Sequence, residues 1–115
     1  MAQLISYPSQ LALTDKKLAE VLDQVREYLR DRVKACYLFG SCAKGTFRVD
    51  SDIDLLIIAE SSLPFIERLF TYEHLLDIFP RIDFFVYTEE EFSRHINNPT
   101  HGFWHIINAQ KQQIL

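Results

Sequence analysis

The sequence predicts an α/β (α+β) domain: a small mixed β-sheet flanked by helices, in one domain spanning residues 1–115. Three observations carry that expectation. Short apolar runs at Ala35-Cys36-Tyr37-Leu38-Phe39, at 53–58 and at 82–87 read as strands. Between and around them lie segments with apolar residues at steps of three and four, the helical period. A chain of 115 residues, 48% hydrophobic and without low-complexity tracts, can bury a real core.

Residues 1–13 give no clear element, and Pro8 opposes a long early helix. A helix starts after Thr14, an N-cap with Asp15 in the first turn. Leu18, Val21, Leu22, Val25 and Leu29 mark its inner face; its charges read as a solvated outer face. The first strand runs into a turn at Gly40, and Ser41 to Thr46 reads as a short helical turn. Arg48-Val49-Asp50-Ser51 is a polar connection to the second strand, which neighbours the first. Pro64 opens a helix to about Phe79, with Leu69, Tyr72, Leu75, Leu76 and Phe79 inward. After the third strand, Thr88 and Glu91 have capping-box spacing and open a helix to about Ile96. Asn97-Asn98-Pro99 breaks it, and His101 to Ala109 forms a last helix. Phe103 and Trp104 there read first as core anchors and second as a partner contact.

Twelve Lys and Arg against sixteen Asp and Glu give a net charge of −4. That balance argues against strong nucleic-acid binding, which needs a basic stripe. Phosphate chemistry in such a chain must lean on a metal ion or on a few local cations. The start Met-Ala-Gln-Leu-Ile-Ser has no secretory pattern, and no stretch has the length of a membrane span, so a cytoplasmic location is expected. Cys36 and Cys42 have no zinc or redox spacing. Cys36 reads as a buried thiol and Cys42 as an incidental one.

The chemistry concentrates between residues 40 and 54. Gly40-Ser41 is followed, after ten residues, by Asp52-Ile53-Asp54. Strand alternation puts Asp52 and Asp54 on one face, where they can share a hard divalent cation. Without a cation, like-charge repulsion raises the pKa of one of them. Asp83 sits in the apolar third strand, a costly place for a lone acid. If that strand lies beside the second, Asp83 completes a cluster suited to two metals. Gly40 permits close backbone approach, Ser41 offers a hydroxyl and N–H groups to phosphate, and Lys44 and Arg48 can neutralise a triphosphate. Taken singly, each residue has an ordinary reading as turn, strand entry or surface charge; their joint pattern is the signal.

The stretch from Gly40 to Leu55 resembles the signature of the minimal nucleotidyltransferases of the DNA polymerase β superfamily: Gly-Ser, ten residues, Asp-x-Asp, with Asp83 matching the later strand carboxylate. Cys42, Lys44 and Phe47 depart from the residues most frequent there. The resemblance implies Mg²⁺, in a two-metal site, and ATP as nucleotide donor. It assigns Asp52, Asp54 and Asp83 as catalytic and metal-binding, and Gly40 and Ser41 as triphosphate-binding. Small members of this type resemble antitoxins that move AMP onto a tyrosine of an all-helical HEPN ribonuclease toxin, which implies a hetero-oligomer. Two alternatives stand beside it: neutralisation by complex formation alone, or transfer to a small molecule such as an aminoglycoside. The closing strand of the superfamily is expected to be curtailed, since the sequence ends at Gln112-Gln113-Ile114-Leu115.

Overall fold

A computed structural model of the chain describes residues 11–98 and 102–115. The elements are helix α1 (Asp15–Leu29), strand β1 (Ala35–Phe39), helix α2 (Ser41–Lys44), strand β2 (Ile53–Ile58), a 3-10 turn (Phe65–Glu67), helices α3 (Arg68–Thr71) and α4 (Leu75–Ile78), strand β3 (Ile82–Tyr87), helices α5 (Glu89–Asn97) and α6 (Gly102–Gln110), and strand β4 (Gln112–Gln113). The expectations for residues 1–10, Pro99 and His101 lie outside the described residues.

The sheet is mixed, in the order β3-β2-β1-β4. β1 pairs antiparallel with β2 and β4, while β2 pairs parallel with β3. Alternation divides the strands between two cores. Ile53, Leu55 and Ile57 face one side, with Cys36 and Leu38 from β1 and Ile82, Phe84 and Val86 from β3. There α1 covers them with Val21, Leu22, Val25 and Leu29, and α4 with Leu75. The other side carries Phe39, Leu56 and Ile58 under Trp104 and Ile107 of α6, with Phe92 and Ile96 of α5 alongside. β2 is apolar at every position from Leu55 to Ile58 because both its faces are covered. Among the described residues no helix is long and apolar enough to cross a membrane.

The caps follow the sequence. Thr14 Oγ1 accepts from Lys17 N–H at 3.1 Å. Thr88 Oγ1 accepts from Glu91 N–H at 3.2 Å while Glu91 Oε1 accepts from Thr88 N–H at 2.9 Å, a complete capping box.

Three expectations need correction. The helix from Pro64 to Phe79 is a 3-10 turn and two separate four-residue helices. Thr71, Tyr72 and His74 are weak helix formers, and the backbone between the pieces tightens to three-residue spacing, as in Leu75 N–H to Tyr72 C=O at 3.0 Å. The changed phase leaves Leu76 46% exposed and not inward. Cys42 is not incidental: it is buried, and its Sγ donates to Asp52 C=O at 3.4 Å. Trp104 is buried, in keeping with the first reading of the last helix, a core anchor. β4 places two residues on β1. Its pairing is extended by Cys36 N–H to Leu115 C=O at 3.0 Å.

Candidate active site

Three backbone turns gather at one rim of the sheet. β1 ends there at Phe39, while β2 and β3 begin there. Phe39, Asp54 and Asp83 are successive register partners across the three strands. Parallel neighbours lie about 4.8 Å apart, so Asp54 and Asp83 stand side by side on one face. Asp52, two residues earlier than Asp54, flanks them and is exposed.

Asp54 is half-buried, and its pKa is pushed up to about 6. Burial is the larger cause; repulsion from Asp83 and then Asp52 adds to it. The expected repulsion is therefore present, but desolvation exceeds it. Asp83 does not meet the cost anticipated for an acid in an apolar strand. β3 is the edge strand and its Asp83 is exposed, between buried Ile82 and Phe84 on the opposite face.

Gly40 is built into this row. Its φ of 74° is one that side chains rarely adopt, and a Cβ placed there would overlap the Asp54 carboxylate oxygen Oδ2. The turn thus lies directly against the acid. Gly40 C=O accepts from Ala43 and Lys44 N–H, each at 3.1 Å, starting α2. Gly45, in the left-handed region, closes α2 by donating to Ser41 C=O. Ser41 is half-buried at the mouth of this turn.

The connection that delivers Asp52 is pinned at several points. Ser51 Oγ accepts from Arg48 N–H at 2.8 Å, and Ser51 N–H donates to Arg48 C=O at 3.0 Å. Val49 C=O accepts from Leu13 N–H at 3.0 Å and from Arg81 Nη2 at 2.8 Å. Arg81 Nε reaches Ser51 C=O at 3.2 Å. Sequence reasoning missed Arg81 as a positioning residue. Its place immediately before the strand that carries Asp83 was the available signal. Phe39 was also missed as the neighbour of Asp54, because register is not written in β1 alone.

Lys44 and Arg48 are exposed, and neither enters a described ion pair. The structure therefore brings Asp52, Asp54, Asp83 and Gly40 together, with Ser41 next to Gly40. It leaves the two cations exposed, Lys44 at the end of α2 and Arg48 on the loop that follows. Among the described residues no three His, Cys, Asp or Glu side chains form a ready metal cage. The donor set fits a hard cation of another kind, one held by one or two carboxylates and completed by phosphate oxygens and water. A half-buried carboxylate repelled by two neighbours is where such a charge would be most favourable.

The fold and this row together define a nucleotidyl-transfer domain. Residues 16–98 match the family "Polymerase beta, Nucleotidyltransferase", and the chain belongs to that family. Over 83 residues it is 34% identical to a Methanocaldococcus jannaschii protein provisionally named a protein adenylyltransferase, covering 72% of this chain and 82% of that one. It is 33% identical over 63 residues to spectinomycin 9-adenylyltransferase of Staphylococcus aureus, covering 55% of this chain but only 24% of that enzyme. A toxin–antitoxin crystal structure with AMP-PNP shares the fold, at a TM-score of 0.55 and 23% identity over 82% of this chain and 72% of that one.

Proposed function

We propose that this nucleotidyltransferase moves AMP from ATP onto a hydroxyl of a partner protein, a tyrosine of a HEPN-type ribonuclease toxin, and so acts as the antitoxin of the pair. The observation that carries the reading is the Asp54–Asp83 register pair set against the Gly40 turn. The name of the archaeal relative supports a protein acceptor, and the shared fold of the toxin–antitoxin structure is compatible with a toxin as that acceptor.

In this reading Gly40 and Ser41 receive the triphosphate, with Lys44 and Arg48 neutralising its outer phosphates. A bound Mg²⁺ supplies charge neutralisation on the phosphate oxygens and on the departing pyrophosphate. Asp52 and Asp54 are the residues that would hold it, with Asp83 alongside in a two-metal arrangement. The tyrosyl oxygen attacks the α-phosphorus in line. A new O–P bond forms as the bond from the α-phosphorus to the bridging oxygen breaks, and pyrophosphate leaves. The tyrosyl proton passes to the exposed Asp83 carboxylate and on to water.

The test is incubation of the chain with α-phosphate-labelled ATP, Mg²⁺ and the product of the adjacent gene. Label on the partner, lost with Asp52→Ala, is expected. If wild type and Asp52→Ala label the partner equally, or not at all, the reading falls. Neutralisation of the toxin by the Asp52→Ala, Asp54→Ala double variant would indicate complex formation without essential catalysis. The match to the spectinomycin enzyme supports a second reading, transfer to a small molecule such as an aminoglycoside, which a drug-resistance panel checks.

A further inference from the structure

A cleft of about 330 Å³ opens beside the acid row, between the α3–α4 segment and β3. Leu69, Phe70, Glu73 and Leu76 form one wall and the consecutive residues Ile82, Asp83 and Phe84 the other. Three consecutive strand residues point to alternating faces, so the strand lines the cleft with its edge. That edge pairs with no further strand among the described residues, since β3 is outermost in the sheet.

The ladder shows which backbone groups face outward. Ile53 N–H donates to Arg81 C=O at 2.9 Å, and Ala59 N–H to Tyr87 C=O at 3.0 Å. The odd-numbered residues of β3 therefore bond to β2, and Ile82, Phe84 and Val86 point to the edge. Ile82 N–H is taken by Phe79 C=O at 3.2 Å. Val86 C=O is taken by Arg68 Nη1 at 3.1 Å. Phe84 N–H and C=O have no outward partner among the described hydrogen bonds. They lie at the cleft, where Phe70 is 69% exposed and Leu76 46% exposed.

We propose that this cleft docks an extended apolar segment of the acceptor protein, paired to the β3 edge at Phe84, with a basic residue over Glu73 and a hydroxyl side chain delivered to Asp83. The proposal rests on the nucleotidyl-transfer reading above. Three features favour this occupant. The walls are apolar, and a peptide strand offers both the side chains to cover Phe70 and Leu76 and the backbone groups to pair with Phe84. The charges in the walls, Glu73 and Asp83, are both negative, which repels a polyphosphate and attracts a cationic residue. The cleft also shares Asp83 with the acid row, so what binds there lies within reach of the transfer step.

The experiment uses ¹⁵N-labelled protein and the synthetic peptide Arg-Leu-Val-Tyr-Val-Leu, with Arg-Gly-Ser-Tyr-Ser-Gly as control. The apolar peptide is expected to shift the Phe84, Phe70 and Leu76 amides and to slow hydrogen exchange at Phe84. Phe70→Glu and Leu76→Glu, both at exposed positions, are expected to weaken its binding by about tenfold or more. Binding of a fluorescent ATP analogue should remain unchanged in both. Absence of binding, equal binding of the control peptide, indifference to both substitutions, or the same shifts produced by spectinomycin would overturn the proposal. Peptide bound in the cleft but never labelled from ATP would leave the cleft standing and remove the protein-transfer reading. Peptide labelled equally by wild type and both variants would do the reverse.

Discussion

Gly40 and Asp54 compete for one volume: the space that a Cβ on residue 40 would need is filled by the Asp54 carboxylate. The turn and the acid are thus fitted to each other across the β1–β2 pair, where Asp54 is the register partner of Phe39, the residue before Gly40.

Gly40→Ala should therefore be damaging twice over. The φ of 74° strains any side chain, and the new methyl group must displace Asp54. A loss of about 1–3 kcal/mol in unfolding free energy is expected from the backbone strain and overpacking. Transfer activity should fall by about a hundredfold or more, since small misplacement at a reacting centre has that scale. Denaturant unfolding and a labelled-ATP assay measure the two effects separately. Gly45→Ala has the strain without a clash, as nothing lies within 4 Å of its Cβ position. It should lower stability and spare most of the activity.

Asp54→Asn should stabilise the fold while abolishing transfer. The Asp54 pKa rises from the usual 3.8 to about 6, chiefly by burial and then by repulsion from Asp83 and Asp52. The folded state thus holds this proton more tightly than the unfolded one. Stability is highest below 3.8, falls as pH rises toward 6, and stays reduced above that. At pH 7.5, without divalent metal, Asn should add about 1–2 kcal/mol after allowance for solvent screening. That corresponds to roughly 5–10 °C in Tm. At pH 4 the two proteins should melt closely together, and a wild type already more stable than Asn at pH 7.5 would refute the account.

The Arg68–Glu91 pair carries the opposite pH sign. Arg68 is buried and binds Glu91 through two bonds, at 2.7 and 3.1 Å, while its Nε reaches Leu63 C=O at 3.0 Å. Hydrogen bonding from Arg68 is the main cause that takes the Glu91 pKa from 4.5 to about 2. This stabilisation is complete above 4.5 and is lost as pH falls toward 2. Glu91→Gln should cost about 2–3 kcal/mol at pH 7, because it leaves a buried guanidinium without its counter-charge. The gap from wild type should close with acidification, as followed by urea titrations at several pH values.

Both thiols should be slow to react. Burial takes Cys36 up to about 12, and burial followed by the Asp54 and Asp52 charges takes Cys42 to about 11. Thiolate is the reactive form, so iodoacetamide at pH 8 should modify neither thiol in the folded protein on a timescale of minutes. Both should be modified once guanidinium unfolds it. Fast labelling of native Cys42 would mean that the Asp52 segment opens readily.

Much of this architecture can be read along the chain, for identifiable reasons. β1, β2 and β3 are continuous apolar runs bounded by turn residues, and their bounds match the structure. Thr88 and Glu91 announce their cap by spacing alone. The acids are legible because their chemistry is local: alternation fixes the common face of Asp52 and Asp54 without reference to any partner strand. What stayed hidden depends on meetings between distant segments. Nothing near Arg68 signals Glu91, and nothing near Val49 signals Arg81. The apolar residues after Pro64 fit a helical period, yet Thr71, Tyr72 and His74 are weak helix formers and the segment breaks into shorter pieces.

Register gives the acid row a second consequence. β2 has apolar layers on both faces from Leu55 onward, and only Asp54 interrupts them within the strand. A slip of one residue against β1 and β3 would turn Asp54 into the layer beneath α1 and its apolar neighbours into the opposite layer. The misaligned sheet would then hold a carboxylate among Val25, Leu29 and Phe79. Asp54 thus lowers the stability of the native alignment at neutral pH, yet it penalises the nearest wrong alignment more. A substitution that makes the folded protein harder to melt would at the same time make its folding less faithful.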